Sequence, residues 1–451
     1  MGQEKRSIGK KPSGAAARLS RRSFLKKAGA GALAAGAVFG APAIRLTKGS
    51  PNDKLNIGVI GVANRGGANL QGVASENIVA LCDVDDNYLA RAAERFPKAA
   101  KYNDFRRMLD RNDLDAVVVS TPDHVHAIAT VWALRAGCHV YCEKPLTHTV
   151  FECRHVQKVT AEEGKVTQMG TQIHAGQNYR RVVELIKTGA IGTVREVHLW
   201  VGKRHGALPH PTGKHTPPAH LHWDLWLGPV PETPYHPIYH PHRWRAFWRF
   251  GEGTLGDMGC HYLDLVHWAL DLHHPVRIRA EGPPVDPIVA PAWCIATWEY
   301  PARGDQPPVT VTWYDGGKRP TFFQENPQIK WGDGVLFVGD KGMLLASYTS
   351  YRLLPEEKFR DFKPPEPFIP PSIGHHREWI EACKGRGKAL CHFGYSGPLT
   401  EAVLLGVVAY RSGEELEWDS ESFRITNCPT AEEYLHQPYR KGWRLDPKVV
   451  V

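Results

Sequence analysis

The strongest constraint on this chain is a short apolar run that stops dead at a glycine turn. "LNIGVIG", Leu55–Gly61, is rich in β-branched residues and runs into "VANRGG", after which "ANLQGVA" takes up helix-like spacing. Continuous apolar runs of this length are what a parallel strand buried on both faces requires. The pattern then repeats: "NIVALCD" ends in Asp83, "DAVVVSTP" in Thr121-Pro122, "HVYCEKP" in Glu143-Lys144-Pro145, and "KVTQMGTQ" in Gln172. Strand and helix in alternation predict a doubly wound parallel sheet, an α/β Rossmann-type domain spanning 52–172.

In such sheets ligands bind beyond the carboxyl ends of the strands, where these polar residues fall. Gly61, Ala63 and Gly66 occupy the three glycine positions of a dinucleotide fingerprint, with alanine at the second, where backbone must approach a pyrophosphate. Asp83 stands where an acid would accept hydrogen bonds from the ribose hydroxyls. A carboxylate there repels a 2′-phosphate, which favours NAD over NADP, although Arg65 offers a nearby cation. The residues expected around the cofactor are Gly61, Ala63, Asn64, Arg65, Asp83, Thr121, Pro122, His124, His126, Glu143, Lys144 and Gln172.

From residue 173 the texture changes. Ten of the fourteen tryptophans and thirteen of the 23 histidines lie between 198 and 331, and short strands alternate with Pro/Gly-rich turns. This predicts an α+β domain over 173–451 with a large, mostly antiparallel sheet, one face covered by helices. Its most informative segment is "GEGTLGDMGCHYLDLVHWALDL", where Asp257, His261 and Asp264 recur at helical spacing on one face. An imidazole oriented by a carboxylate is a proton shuttle that works near neutrality. "HRWRAFW" leads directly into this segment, making Arg243, Trp244 and Arg245, with Asp264, candidates for substrate contact.

"STPDHVHA", "EKP" and "D-x-G-x-H-x-x-D" together resemble the Gfo/Idh/MocA family of oxidoreductases, over nearly the whole length from Leu55 onward. The resemblance implies that Lys144, Asp257 and His261 line an active site around the nicotinamide. Hydride would leave a sugar or cyclitol carbon, His261 would take the hydroxyl proton, Lys144 would polarise the oxygen, and Asp257 would hold the imidazole. Relatives also commonly form homo-oligomers through the open face of the second sheet. A second chemistry fits the same pocket: NAD-dependent glycoside cleavage through transient C3 oxidation and elimination. A non-catalytic sugar-binding protein is a third reading, which would be expected to have dropped Lys144 or His261.

"SRRSFLKKAGAGALAAGAVFGAPA", Ser20–Ala43, carries the twin-arginine export pattern, with Ala41-Pro42-Ala43 as a peptidase site. Its Ala/Gly run is too weakly apolar to remain as a membrane span. The expectation is an exported, periplasmic protein cleaved after residue 43. Nine of the 56 basic and one of the 47 acidic residues lie in 1–43, leaving 47 against 46, so the net charge of +9 belongs almost wholly to the leader. No basic face remains to bind nucleic acid. The nine cysteines show no CxxC or zinc-ribbon spacing. In the loop bearing His205, His210, His215, His220 and His222 only the last two are closely spaced. It reads as a lid or an oligomer contact, and no metal is expected.

Overall fold

The computed structural model describes residues 53–449; the leader lies outside the described residues. The first sheet is parallel throughout, with β1 (Asn56–Ile60), β2 (Asn77–Cys82), β3 (Ala100–Tyr102), β4 (Ala116–Val119), β5 (His139–Cys142) and β6 (Thr167–Met169) in the order β3-β2-β1-β4-β5-β6. All four residues of β4, Ala-Val-Val-Val, are buried, as a central strand covered on both faces requires. The strand order reverses between β1 and β4, so the loops after these strands diverge and open a crevice.

The second sheet has nine strands: β7 (Val194–Trp200), β8 (Arg277–Glu281), β9 (Ile295–Tyr300), β10 (Val309–Tyr314), β11 (Gly334–Gly339), β12 (Gly342–Ala346), β13 (Tyr351–Leu354), β14 (Leu416–Asp419) and β15 (Arg424–Ile425). Their order is β13-β12-β11-β7-β10-β9-β8-β14-β15, antiparallel except for β7 beside β10. β10 alternates buried and half-buried residues, the signature of a sheet covered on one face. That inner face is packed by the helices Gly253–Leu270 and Phe393–Ser412. Trp298 donates from Nε1 to the Ala402 carbonyl oxygen at 2.8 Å. A Cβ on Gly406 would lie 2.7 Å from the same indole, so the glycine permits the close approach. The outer face carries Arg277 and Arg279, both paired with Glu299 at 3.1 Å.

The chain does not stay in its second half. The helix His375–Cys383 returns to the first sheet, burying Trp379, Ile380 and Cys383 among Ile57, Val59, Val118 and Tyr141. Met169 of β6 donates to the Cys391 carbonyl oxygen at 2.9 Å, which continues the tie. Residues well beyond 172 therefore belong physically to the first sheet's core. Eight of the nine cysteines are buried and all are free thiols. No described helix is long and apolar enough to cross a membrane.

Candidate active site

A cavity of about 760 Å³ opens along the carboxyl ends of β1, β2, β4 and β5 and is roofed by the second half of the chain. At its β1 end the turn is sterically committed to glycine. Gly61 has φ +81°, and a Cβ there would meet the Ser120 carbonyl oxygen at 2.5 Å. A Cβ on Gly66 would lie 2.1 Å from the Gly61 carbonyl oxygen, so helix and strand could not close together. Asn64 caps the helix Arg65–Gly72 without a side-chain hydrogen bond, leaving its first N–H groups free to meet a pyrophosphate. Ala63, Asn64 and Arg65 all face the cavity.

At the β2 end Asp83 accepts from the Val62 and Asp85 N–H groups at 2.9 and 3.0 Å. Burial outweighs these bonds and raises its carboxyl to about 6. Beyond β4 and β5, His126 pins two turns together, its Nε2 facing the Thr121 carbonyl oxygen at 2.9 Å and its Nδ1 that of Pro145 at 2.7 Å. Glu143 lines the cavity but is spoken for: Asn69 and Gln172 donate to its Oε1 at 2.8 and 2.7 Å. Gln172, expected at the cofactor, instead sits behind Glu143 and also bonds Tyr141 at 2.8 Å.

Lys144 reaches across to the second half. Its Nζ donates to Oδ1 of Asp257 at 2.8 Å and to the Asp257 carbonyl oxygen at 2.6 Å. Asp257 is a hub: Arg245 donates from Nε to Oδ1 at 3.0 Å, Lys203 from Nζ to Oδ2 at 2.8 Å, and His205 from Nε2 to Oδ2 at 3.0 Å. Burial opposes its ionisation, yet Lys144, His205, Arg245 and Lys203 hold the carboxyl well below the usual range. The expected Asp257–His261 pair is not formed. Both carboxylate oxygens are taken by donors from three other segments, which outcompete the neighbour one helical turn away. His261 still faces the cavity; its Nδ1 is buried without a partner among the described residues. Burial, with Lys144 nearby, lowers its pKa to about 3, so the imidazole is neutral.

Three further expectations are corrected. His124 does not reach the cavity: its Nδ1 and Nε2 face the Phe250 and Trp226 carbonyl oxygens at 3.3 and 2.9 Å, anchoring the second half on the helix Asp123–Arg135. Asp264, about 10 Å further along its helix than Asp257, belongs to a separate buried knot, accepting from Tyr395 at 2.8 Å and pairing with His174 at 2.9 Å. Arg243 is exposed and outside the cavity, whereas Trp244 and Arg245 line it.

Lys203, His205 and Asp123 were not singled out as site residues from sequence. The first two follow β7 in "GKRHG", a strand-end signal of the kind that marked Lys144. Asp123 stands in the cavity wall with its carboxyl raised to about 7 by burial, against the pull of Arg245 and Lys144. The histidine-rich loop docks on the first half: the Asp86 N–H donates to the His220 carbonyl oxygen and the His222 N–H to that of Val84, each at 2.9 Å.

Residues 55–171 match the family description "Oxidoreductase family, NAD-binding Rossmann fold" and residues 187–311 match "Oxidoreductase family, C-terminal alpha/beta domain". The chain belongs to the Gfo/Idh/MocA oxidoreductase family. Inositol 2-dehydrogenase of Salmonella typhimurium is 30% identical over 171 residues, 37% of this chain and 50% of that protein. Glycosyl hydrolase family 109 protein 1 of Shewanella sp. (strain ANA-3) is 32% identical over 204 residues, 39% of this chain and 44% of that protein. The chain thus spans about half the length of the curated relatives it matches. Among solved structures, the WlbA dehydrogenase of Bordetella pertussis, in complex with NADH and UDP-GlcNAcA, shares the fold with a TM-score of 0.59. It is 16% identical, over 81% of this chain and 99% of that one. The aldose-aldose oxidoreductase of Caulobacter crescentus gives 0.55 at 17% identity, over 81% and 100% of the two chains. In this Gfo/Idh/MocA member the glycine turn, the open helix N-terminus and Asp83 form a cradle that suits a dinucleotide, and the cavity is of ligand-binding size.

Proposed function

We propose that this protein oxidises a secondary alcohol of a sugar, sugar derivative or cyclitol, using NAD that stays bound and is recycled in place. The observation that carries the reading is the meeting of Lys144, from the dinucleotide half, with Asp257 and the neutral His261, from the other half, in one cavity. Gly61, Ala63, Asn64 and Arg65 would hold the pyrophosphate and Asp83 the ribose, its carboxylate favouring NAD over NADP. The dinucleotide, when bound, supplies the hydride acceptor. Lys144, held by Asp257, presents its ammonium to the substrate oxygen and stabilises negative charge as it develops there. His261 is neutral near pH 7, and its Nε2, the nitrogen not sealed in the interior, can accept a hydrogen bond from the substrate hydroxyl. With a pKa of about 3 it is too weak a base to hold the proton until negative charge develops on the substrate oxygen beside it.

Recycling is supported by the docked loop 218–222 and by the twin-arginine leader, which carries proteins already folded. The same leader is the ground for export, and the outer face of the second sheet, charged at Arg277, Arg279 and Glu299 and apolar around Trp200, Leu336 and Leu345, is the surface proposed for a homo-oligomer. A redox-neutral glycoside cleavage is the second reading. It is favoured by the likeness to a glycosyl hydrolase family 109 protein and by Asp123, a carboxyl near pKa 7 that could protonate a leaving group. The test is to denature purified protein and assay released NAD, then incubate intact protein with sugars and aryl glycosides without added cofactor. Paired oxidised and reduced sugars support the oxidoreductase; aglycone release without net reduction supports cleavage. Absence of both, with no NAD released, overturns the proposal.

A further inference from the structure

At the substrate end of the cavity three cations gather on one carboxylate. Lys144, Lys203 and Arg245 converge on the single carboxylate of Asp257, and His205 adds a fourth donor. Orienting one carboxylate needs one such partner. Three like charges drawn together in a partly dry site repel one another and are tolerated where a further anion completes the set. The neighbouring acids act on these cations only through space, Asp123 on Arg245 and Lys144 and Glu143 on Lys144. Among the described residues neither acid bonds Lys203 or Arg245 directly: Glu143 accepts from the neutral amides of Asn69 and Gln172, and Asp123 has no hydrogen bond to any of the three cations.

The dinucleotide's phosphates do not complete the set. They belong at the glycine turn after β1, two strands from β5 and so about 10 Å from Lys144. Donor capacity is also left over. Arg245 spends Nε on Asp257 and Nη1 on the His242 carbonyl oxygen at 3.3 Å, while its Nη2 has no partner among the described residues. Among the described residues the Lys203 ammonium bonds only Asp257 and the Met258 sulfur, and its side chain is 46% exposed.

We infer that the substrate is an anionic sugar, whose carboxylate or other oxyanion substituent is received by Lys203 and Arg245 while its reacting hydroxyl lies against Lys144. A guanidinium edge and an ammonium on opposite oxygens of Asp257 form a two-point seat for such a group. The inference rests on the sugar-oxidoreductase reading of this cavity and names its substrate class.

The test is calorimetric titration of the purified protein with glucuronate, galacturonate and mannuronate, each against its parent hexose, with glucose 6-sulfate as a second oxyanion. At least one hexuronate should bind about tenfold or more tighter than its hexose, and added salt should narrow the gap. Lys203→Gln should remove most of that preference and Lys203→Arg retain it; Lys203 is exposed enough for both to fold. Binding of the sulfate ester as well widens the seat to oxyanions in general. No preference for any hexuronate, or a preference that survives Lys203→Gln, overturns the inference. Near-ultraviolet absorbance of the bound dinucleotide is read in parallel. Reduction by a neutral hexose without anion preference sinks the charge assignment and spares the oxidoreductase. Anion preference without reduction by any sugar spares the seat and sinks the redox reading.

Discussion

Lys144 Nζ grips Asp257 twice, through the side chain at 2.8 Å and the main chain at 2.6 Å, across 113 residues of sequence. The contact joins a turn after β5 of the parallel sheet to a helix lying on the antiparallel one. One ammonium therefore couples catalytic geometry to a registration of the two halves that His124 and the docked loop also hold.

Lys144→Ala should keep the bound dinucleotide and lose turnover by about 10²–10³, the usual effect of deleting a donor at a developing oxyanion. Arg245, Lys203 and His205 still hold Asp257, so the fold should survive. Single-turnover kinetics with released-NAD analysis checks both halves of the claim, and full activity in the variant would disprove the role.

Asp83 accepts ribose hydroxyls best as a carboxylate, and burial raises its carboxyl to about 6. NAD affinity should thus be full above pH 7 and weaken as pH falls through 6. Asp83→Ser should flatten that profile and narrow the preference over NADP. Fluorescence titration of dinucleotide-free protein across pH 5–8 reads both.

His124 is buried with its pKa lowered to about 3, first by desolvation. The unfolded chain binds this proton below about 6.5 and the native state does not. The stability it contributes is therefore whole above that value and drains as pH falls toward 3, at about 1.4 kcal/mol per pH unit. His124→Gln should be shallower by that slope in urea melts at pH 4–6. The difference between the two proteins isolates this residue from the other titrating groups.

Gly66→Ala places a methyl 2.1 Å from the Gly61 carbonyl oxygen, a backbone atom that cannot swing aside. The expected result is a loss of about 3 kcal/mol or more together with loss of retained dinucleotide. Unchanged melting and NAD content would refute the tight turn.

Much of the first half was legible because its signals are local. Buried parallel strands announce themselves as β-branched runs, and Gly61 and Gly66 are dictated by backbone clashes between neighbouring elements. The second half was legible as a class of sheet and as one helix bearing Asp257 and His261. Pattern alone could not say that Asp264, on the same helical stripe, would turn to His174 and Tyr395. Nor could it say that His124, flanked by two residues that line the cavity, would turn to the distant carbonyls of Trp226 and Phe250.

By itself the sequence determined the strand ends, the glycine turn and the residue types that meet a cofactor, because sterics and burial act within a few residues. Only the tertiary structure decided which imidazole meets Asp257, that Lys203 and Arg245 join it, and that the helix His375–Cys383 closes the first core. Those choices arise from competition among donors brought together from far along the chain. Spacing carries no record of such a contest, because its outcome exists only once both halves have packed.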